Sequence, residues 1–201
     1  MRCNMFTKTI GNTTIHFGPL IIFGILLGTI LLIQVVRSIV LEHKFKNIVN
    51  YLQNGDYNRI VQIGESLLNK YDTHAKKIKT KALLSRIEYL NFALAVSYFA
   101  LSNDEGFLSK IYMLNQSHDI KEFWLSLYFL RKDDLEEFKT HFDQITCSEE
   151  TYINRTYLNA YCFFKQNRND LACESMSIVF DSLKHPILKD IAKSILSQNN
   201  I

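Results

Sequence analysis

The chain has 201 residues, of which 47% are hydrophobic and 21% charged, so a disordered polymer is excluded and one domain plus an accessory segment is affordable in length. Only 7 Gly and 2 Pro occur. A β-sandwich or barrel needs turn residues at roughly ten-residue intervals, whereas long helices need few breakers, so the expected fold class is all-α. The net charge is +3, and Arg2, Lys8 and Arg37 are the only charged side chains before Glu42. Of 23 basic residues 20 therefore remain beyond them, against 20 acidic ones. That neutral remainder lacks the electrostatic footprint of a nucleic-acid-binding domain, so no nucleic-acid partner is expected.

After an N-terminal flank (1–16), the run from Phe17 to Val36 reads FGPLIIFGILLGTILLIQVV, twenty residues without a charge, followed by Arg37 and Ser-Ile-Val-Leu. At about 1.5 Å per residue this spans roughly the 30 Å hydrocarbon core, so a single-pass transmembrane helix is expected over 17–39. Pro19 suits a first helical turn, and Gln34 lies near the far interface. A cleavable signal peptide would have a shorter apolar region and an Ala-x-Ala-like site after it, and a buried core helix would carry a polar stripe. Gly24 and Gly28 form a G-x-x-x-G beside Thr29. Such spacing lets two membrane helices approach closely and makes these glycines candidates for a homodimer contact, although Gly is common in membrane helices generally.

Orientation rests on Arg2 and Lys8 before the helix against Arg37, Lys44 and Lys46 after it, a near balance. The cluster Lys76-Lys77-x-Lys79-x-Lys81 and the cysteines lean towards a cytoplasmic soluble domain, although a lysine cluster also serves as a solvated helix face. Cys3, Cys147, Cys162 and Cys173 contain no C-x-x-C, and the three beyond the membrane are an odd set. Reduced, buried thiols are expected, with a Cys162–Cys173 pairing left open. Sequons at Asn12, Asn115 and Asn154 carry no weight in so Asn-rich a chain.

From 40 to 201 the periodicity is helical. Val40, Leu41, Phe45, Ile48, Val49 and Leu52 make one apolar face, so the membrane helix is expected to continue into this segment until Gly55-Asp56. Ile60, Ile63, Leu67 and Leu68 form the next stripe. A segment over 75–101 ends in YLNFALAVSYFAL, apolar on most sides and therefore expected as a central buried helix. Further helices are expected near 104–115, 119–131, 133–146, 149–166, 169–183 and 187–197, with Asp104, Asp119, Asp133 and Asn169 at or near their starts as caps.

The turns repeat. LQNGDYNRIVQIGESLL, ALSNDEGFLSKIYML, FLRKDDLEEFKTHF and FKQNRNDLACESMSIVF each place an apolar helix end, a polar turn and an amphipathic helix in the same order. Anchored at Asp56, Asp104, Asp134 and Asp170, the spacings are 48, 30 and 36 residues. A period of roughly 30–40 residues built of helix pairs predicts an α-solenoid of about four helical hairpins. Asn54-Gly55-Asp56-Tyr57, Tyr157-Leu158-x-Ala160-Tyr161 with Ala172, and Ala95 with Tyr98 resemble the inter-helix turn and packing positions of the tetratricopeptide repeat family. The sequence departs from that family at Ile60, Leu108 and Phe138, where it has Ala. The resemblance covers about residues 40–197 and implies a TPR-like domain that grips a protein.

No catalytic signature accompanies it. The histidines (16, 43, 74, 118, 141 and 185) never fall at i, i+3 or i+4, so no helix presents a metal pair, and His118 and His141 are expected as exposed or capping rings near helix ends. There is no phosphate loop, G-x-G-x-x-G or G-x-S-x-G. Asp133, Asp134, Glu136 and Glu137 fall in a helix's first turn, where they complement the helix dipole. No catalytic residue, metal or cofactor is therefore assigned. Tyr89, Phe92, Tyr98, Trp124, Tyr128 and Tyr161 are the candidate partner-binding residues, each either core or groove. The sequence thus points to a membrane-anchored adaptor that binds a protein partner at the bilayer surface through helical repeats. The alternative is a structural subunit acting through its transmembrane helix, and a hydrolase or transferase of unrecognised kind is the third class.

Overall fold

The computed structural model describes residues 7–10, 13–16, 18–75, 80–115 and 118–198, with side chains from Ile22 onward. Arg2, Cys3, Asn12, Phe17, Lys76, Lys77 and Lys79 lie outside the described residues. The chain divides into two units, Met1–Phe45 and Lys46–Ile201.

The first unit holds strands β1 (Thr7–Ile10) and β2 (Thr13–His16), antiparallel with Thr7 opposite His16 and Ile10 opposite Thr13. These are Thr- and Ile-rich runs, and β-branched side chains fit a pleated surface. Apart from this short ladder the regular structure is helical, in keeping with the composition. Helix α1 (Gly18–Asn54) is a single element that begins in the first unit and ends in the second. From Ile22 to Val40 every large apolar side chain is 47–64% exposed. A soluble core helix would bury such a surface. Among the described residues α1 is the one helix long and apolar enough to cross a membrane. Within that stretch the Thr29 hydroxyl donates to the Ile25 carbonyl at 2.8 Å and so is satisfied within the helix.

The second unit contains the end of α1 and then α2 (Tyr57–Ala75), α3 (Lys81–Ala100), α4 (Asp104–Ile111), α5 (His118–Arg131), α6 (Leu135–Phe142), α7 (Tyr152–Lys165), α8 (Asn169–Val179), a 3₁₀ turn (Phe180–Ser182) and α9 (Pro186–Ser197). Helix α3 packs on α2 and α4, α5 on α6, and α7 on α8; α5 also meets α7, and α9 meets α8. The YLNFALAVSYFAL stretch is central, with Leu90, Ala93, Leu94, Ala95, Val96 and Phe99 buried.

One turn is built four times. Gly55, Ser102, Asp133 and Asn167 have φ of 72, 58, 60 and 59°, the left-handed region. At each, the N–H of this residue bonds the carbonyl three residues back (Leu52, Phe99, Leu130, Phe164). The next N–H bonds the carbonyl five back (Tyr51, Tyr98, Phe129, Phe163), at 2.9–3.0 Å. This is the Schellman helix ending, which satisfies carbonyls that the helix leaves orphaned. The residue after the left-handed one opens the next helix: Asn103 and Asp134 accept from the N–H of Gly106 (2.9 Å) and Glu137 (3.1 Å), and Asp56 from Arg59 (3.4 Å). Arg168 stands at the fourth such position without a side-chain cap. Four residues further on, Ile60, Phe107, Phe138 and Ala172 are all buried.

The structural equivalents are therefore 56, 103, 134 and 168, and two of the anchors expected from sequence shift by one or two residues. Asp104 and Asn169 are helical, and Asp133 is the left-handed residue. Phe107, not Leu108, occupies the buried position. Asp119 does not cap its own helix. Its carboxylate accepts from the N–H and hydroxyl of Thr146, both at 2.8 Å, and these bonds hold it below the ordinary Asp range.

Successive turns are laced. Arg131 of the third turn donates to the Phe99 carbonyl (2.7 Å) and to Ser102 of the second, and Lys132 pairs with Asp104. Lys165 of the fourth pairs with Asp133 of the third at 2.6 Å. Of the three described thiols Cys173 is buried, Cys162 half-buried and Cys147 exposed, and all three are free. The expectation of uniformly buried cysteines is thus corrected at Cys147, whose segment follows α6 on the surface.

Gly106 is dictated by packing. A Cβ there would lie 2.7 Å from Tyr98 Cγ. Gly106→Ala should gain about 1 kcal/mol of helix propensity but lose about 1–3 kcal/mol to overpacking, lowering the melting temperature in a circular-dichroism melt. In a Tyr98→Ala background the same change should become stabilising; equal destabilisation in both backgrounds would contradict this packing account.

Candidate functional site

The first helices of the later hairpins, α3, α5 and α7, bring aromatic side chains together. Phe92 meets the edge of Trp124 (centroids 6.3 Å), Trp124 meets Phe99 (5.5 Å) and Phe123 (5.7 Å), and Phe123 meets Tyr157 (6.0 Å). Such edge-on arrangements place ring hydrogens against π-faces. The wall they form is covered by the chain's own extended segment between the 3₁₀ turn and α9.

That connector, 183–185, and the first turn of α9 after it are fixed residue by residue. Leu183 and His185 have extended backbones. The His185 ring lies edge-on to both Phe92 (5.8 Å) and Trp124 (6.0 Å). Pro186 stands over the first turn, where a Cβ on Gly55 would be 3.5 Å from its own. The Tyr157 hydroxyl donates to the Leu188 carbonyl at 3.2 Å. The Tyr57 hydroxyl is buried beside the Ile187 backbone. Burial raises the phenols of Tyr57 and Tyr157, the latter strongly. Burial, helped by the charge on Lys184, lowers the pKa of His185, so the stacked imidazole is neutral.

Beside this segment an apolar pocket of about 290 Å³ lies between α7 and α9. Tyr161, Phe164, Ile187, Ile191 and Ile195 line it, with Asp190 and Ser194 as its polar members. It is near the lower end of ligand-pocket sizes and has no convergent set of titratable groups.

The six aromatics expected to bind a partner do not form one surface. Trp124 (2% exposed) is core, and Phe92 and half-buried Tyr89 flank it, their centroids 6.3 Å apart. Tyr161 lines the pocket. Tyr128 is buried and stacked on Phe107 of α4 at 5.0 Å, away from the segment. Tyr98 bridges α2, α3 and α4: its hydroxyl donates to Glu65 Oε1 at 2.9 Å while Lys110 holds Oε2 at 2.8 Å. Burial and then the Glu65 carboxylate push its phenol up to about 12. Tyr57, Tyr157 and His185 are the members that sequence reasoning missed. The visible signal was Pro186 directly after a His and before an apolar run.

A second polar cluster joins α5 to α6. Glu122, 3% exposed, accepts from His141 Nδ1 at 2.6 Å, with His118 at 3.7 Å. His141 stacks flat on Phe129 (5.2 Å, 5°), so it is neither an exposed nor a capping ring, whereas His118 is exposed. No Ser, Thr or Cys among the described residues hydrogen-bonds the other His141 nitrogen, and a nucleophilic triad would need one. Among the described residues no group of three or more His, Cys, Asp and Glu is placed to hold a metal ion.

The chain matches no protein-family model, no curated protein and no solved structure.

Because His185 is neutral when stacked, its contribution to stability is present above the ordinary His pKa of about 6.5 and is lost as pH falls below it. His185→Phe should keep the ring contact and flatten the stability curve between about pH 5 and 7, measured by urea unfolding followed through Trp124, the single Trp. An unchanged slope would show that the imidazole titrates freely.

Proposed function

We propose that the chain is a membrane-anchored adaptor: α1 inserts in a bilayer as a single-pass span, and the helical domain grips a protein partner as a TPR-like α-solenoid without catalysing a reaction. The observation that carries this reading is the fourfold Schellman turn with its laced neighbours, which suits stacked helical hairpins, joined to a helix whose large apolar side chains from Ile22 to Val40 are 47–64% exposed. Stacked hairpins expose a continuous face for extended peptides. A cytoplasmic domain fits its three free thiols.

A second reading rests on α1 alone. A Cβ at Gly24 or Gly28 would meet nothing within 4 Å, so this small-residue face is open for a second helix, in a homodimer or a larger membrane complex. Replacing both by Ile separates the readings. Partner co-purification from detergent-solubilised membranes should persist for the adaptor and fall at least tenfold for the transmembrane subunit.

Cys3 and Cys147 flank the proposed span in sequence, and Cys147 is exposed. A membrane-impermeant maleimide applied to intact cells should label one of them and not the other, and permeabilisation should expose both. A cytoplasmic domain predicts protection of Cys147. Labelling of both in intact cells, or loss of Cys3 from the mature chain by cleavage, would refute the single-pass anchor.

A further inference from the structure

We propose that Arg37 and Lys44 of α1 form a binding site for the headgroup phosphate of an anionic phospholipid, at the border where the span leaves the bilayer. The inference rests on the single-pass anchor reading and adds a lipid class to it.

Helix periodicity puts the two cations together. They are seven residues apart in an unbroken helix. That is almost two full turns, so both side chains leave α1 on the same face, with Lys44 about 10 Å further along the axis. Val40 and Leu41 lie between them on that face, Val40 48% exposed and Leu41 half-buried. Ile39, two residues past Arg37, is 62% exposed. The exposed apolar surface therefore runs past Arg37, and the guanidinium is rooted inside it rather than beyond its edge. A cation rooted there extends its stem towards the headgroup layer and needs an anion at the end of it. Lys44, one turn past Val40, starts beyond that edge and reaches the same layer from the aqueous side.

The face carries no acid of its own. Glu42 is the one acidic residue in the sequence between Ile22 and Lys46. It projects from the other side of the helix, where it has an interaction of its own, and Lys46 lies four residues after it on that side. Among the described residues no carboxylate pairs with Arg37 or Lys44, whereas Lys110, Lys132 and Lys165 of the helical domain are all taken up by carboxylates. An anionic lipid supplies the missing charge. Its phosphodiester accepts two parallel N–H bonds from the planar guanidinium, and the ammonium adds a point charge. A zwitterionic lipid carries the same phosphate but brings its own cation, which competes for it. The cytoplasmic leaflet is the anionic one, in keeping with a cytoplasmic helical domain.

The test uses the full chain in neutral maltoside micelles, with dioleoyl phosphatidylglycerol or dioleoyl phosphatidylcholine added at equal concentration. Native mass spectrometry reads the fraction of chain carrying one lipid. The wild type should favour phosphatidylglycerol at least about fivefold, the worth of one interfacial cation. Arg37→Gln/Lys44→Gln should bring the ratio to about one, and each single substitution should lower it part-way. Lys46→Gln/Lys81→Gln removes the same charge from elsewhere and should leave the ratio unchanged. An equal fall in both double variants would make the preference a bulk charge effect and overturn the proposal, as would a wild type without preference. Phosphate adducts as abundant as the lipid adducts, in ammonium phosphate, would make the ligand a free anion and overturn the lipid assignment. If the Arg37→Gln/Lys44→Gln chain loses helix content, the two single variants decide on the same terms. Flotation of the wild type with phosphatidylcholine vesicles is read separately. A chain that does not float refutes the anchor and the site together, whereas a floating chain whose lipid ratio ignores Arg37 and Lys44 refutes the site and leaves the anchor standing.

Discussion

The helical domain depends on one backbone device, the left-handed residue that closes each of its four hairpin turns. For a residue other than glycine that conformation costs about 1–2 kcal/mol, less for Asn and Asp, and three of the four positions pay it with Ser102, Asp133 and Asn167. The return is structural. Two orphan carbonyls at each helix end are satisfied, the chain reverses within two residues, and the following residue is already placed as the next N-cap. Because the turns share one geometry, cations from one of them reach carbonyls and carboxylates of the turn before, as Arg131, Lys132 and Lys165 do. These bonds are largely exposed and weak singly. Their contribution is register between hairpins rather than bulk stability.

The same geometry decides which aromatics are committed to the turns. An aromatic residue stands five positions before each cap: Tyr51, Tyr98, Phe129 and Phe163. That position is committed to the turn, which is why Tyr98 ends up bonded to Glu65 and pressed on Gly106 instead of facing a ligand. Tyr128 is lost to α4 in the same way, through its stack on Phe107. Of the rings on α3, α5 and α7, Phe92 and Trp124 are met by His185 of the short connector, and Tyr157 by the Leu188 carbonyl in the first turn of α9.

Much of this was legible. Low Gly and Pro, 3.6-residue stripes and polar punctuation predict the helices and their order, and most ends fall within a few residues of the observed ones. The cap positions were displaced because runs such as Asn103-Asp104 and Asp133-Asp134 contain two good caps, and only backbone φ decides which residue is left-handed and which opens the helix. The N-terminal ladder was missed although Gly11-Asn12 between two Thr/Ile runs is a hairpin pattern, because eight residues carry too little periodicity to stand out beside a twenty-residue apolar run. The His185 contacts were illegible for a different reason. His185 meets partners 93 and 61 residues away, and no local pattern encodes a contact between an extended connector and helices that far back in the chain. The Glu122–His141 bond, 19 residues apart across a turn, was equally hidden.

The apolar helix poses the remaining physical demand. Thirteen Ile, Leu, Val and Phe side chains between Ile22 and Val40 are about half exposed or more. At about 25 cal/mol per Å² of apolar surface, leaving them all in water is untenable for a domain whose whole stability is of the order of 10 kcal/mol. A protein groove would cover one face of a helix and leave the other wet, which selects for a polar stripe, and this stretch has none. Lipid covers every face. It also requires each backbone group to be satisfied internally, a condition suited by an unbroken helix in which the Thr29 hydroxyl is bonded to the helix's own backbone. Under the proposed anchor reading a bilayer is the cover whose symmetry matches this surface, and the absence of any face preference in the apolar run is the physical argument for that proposal.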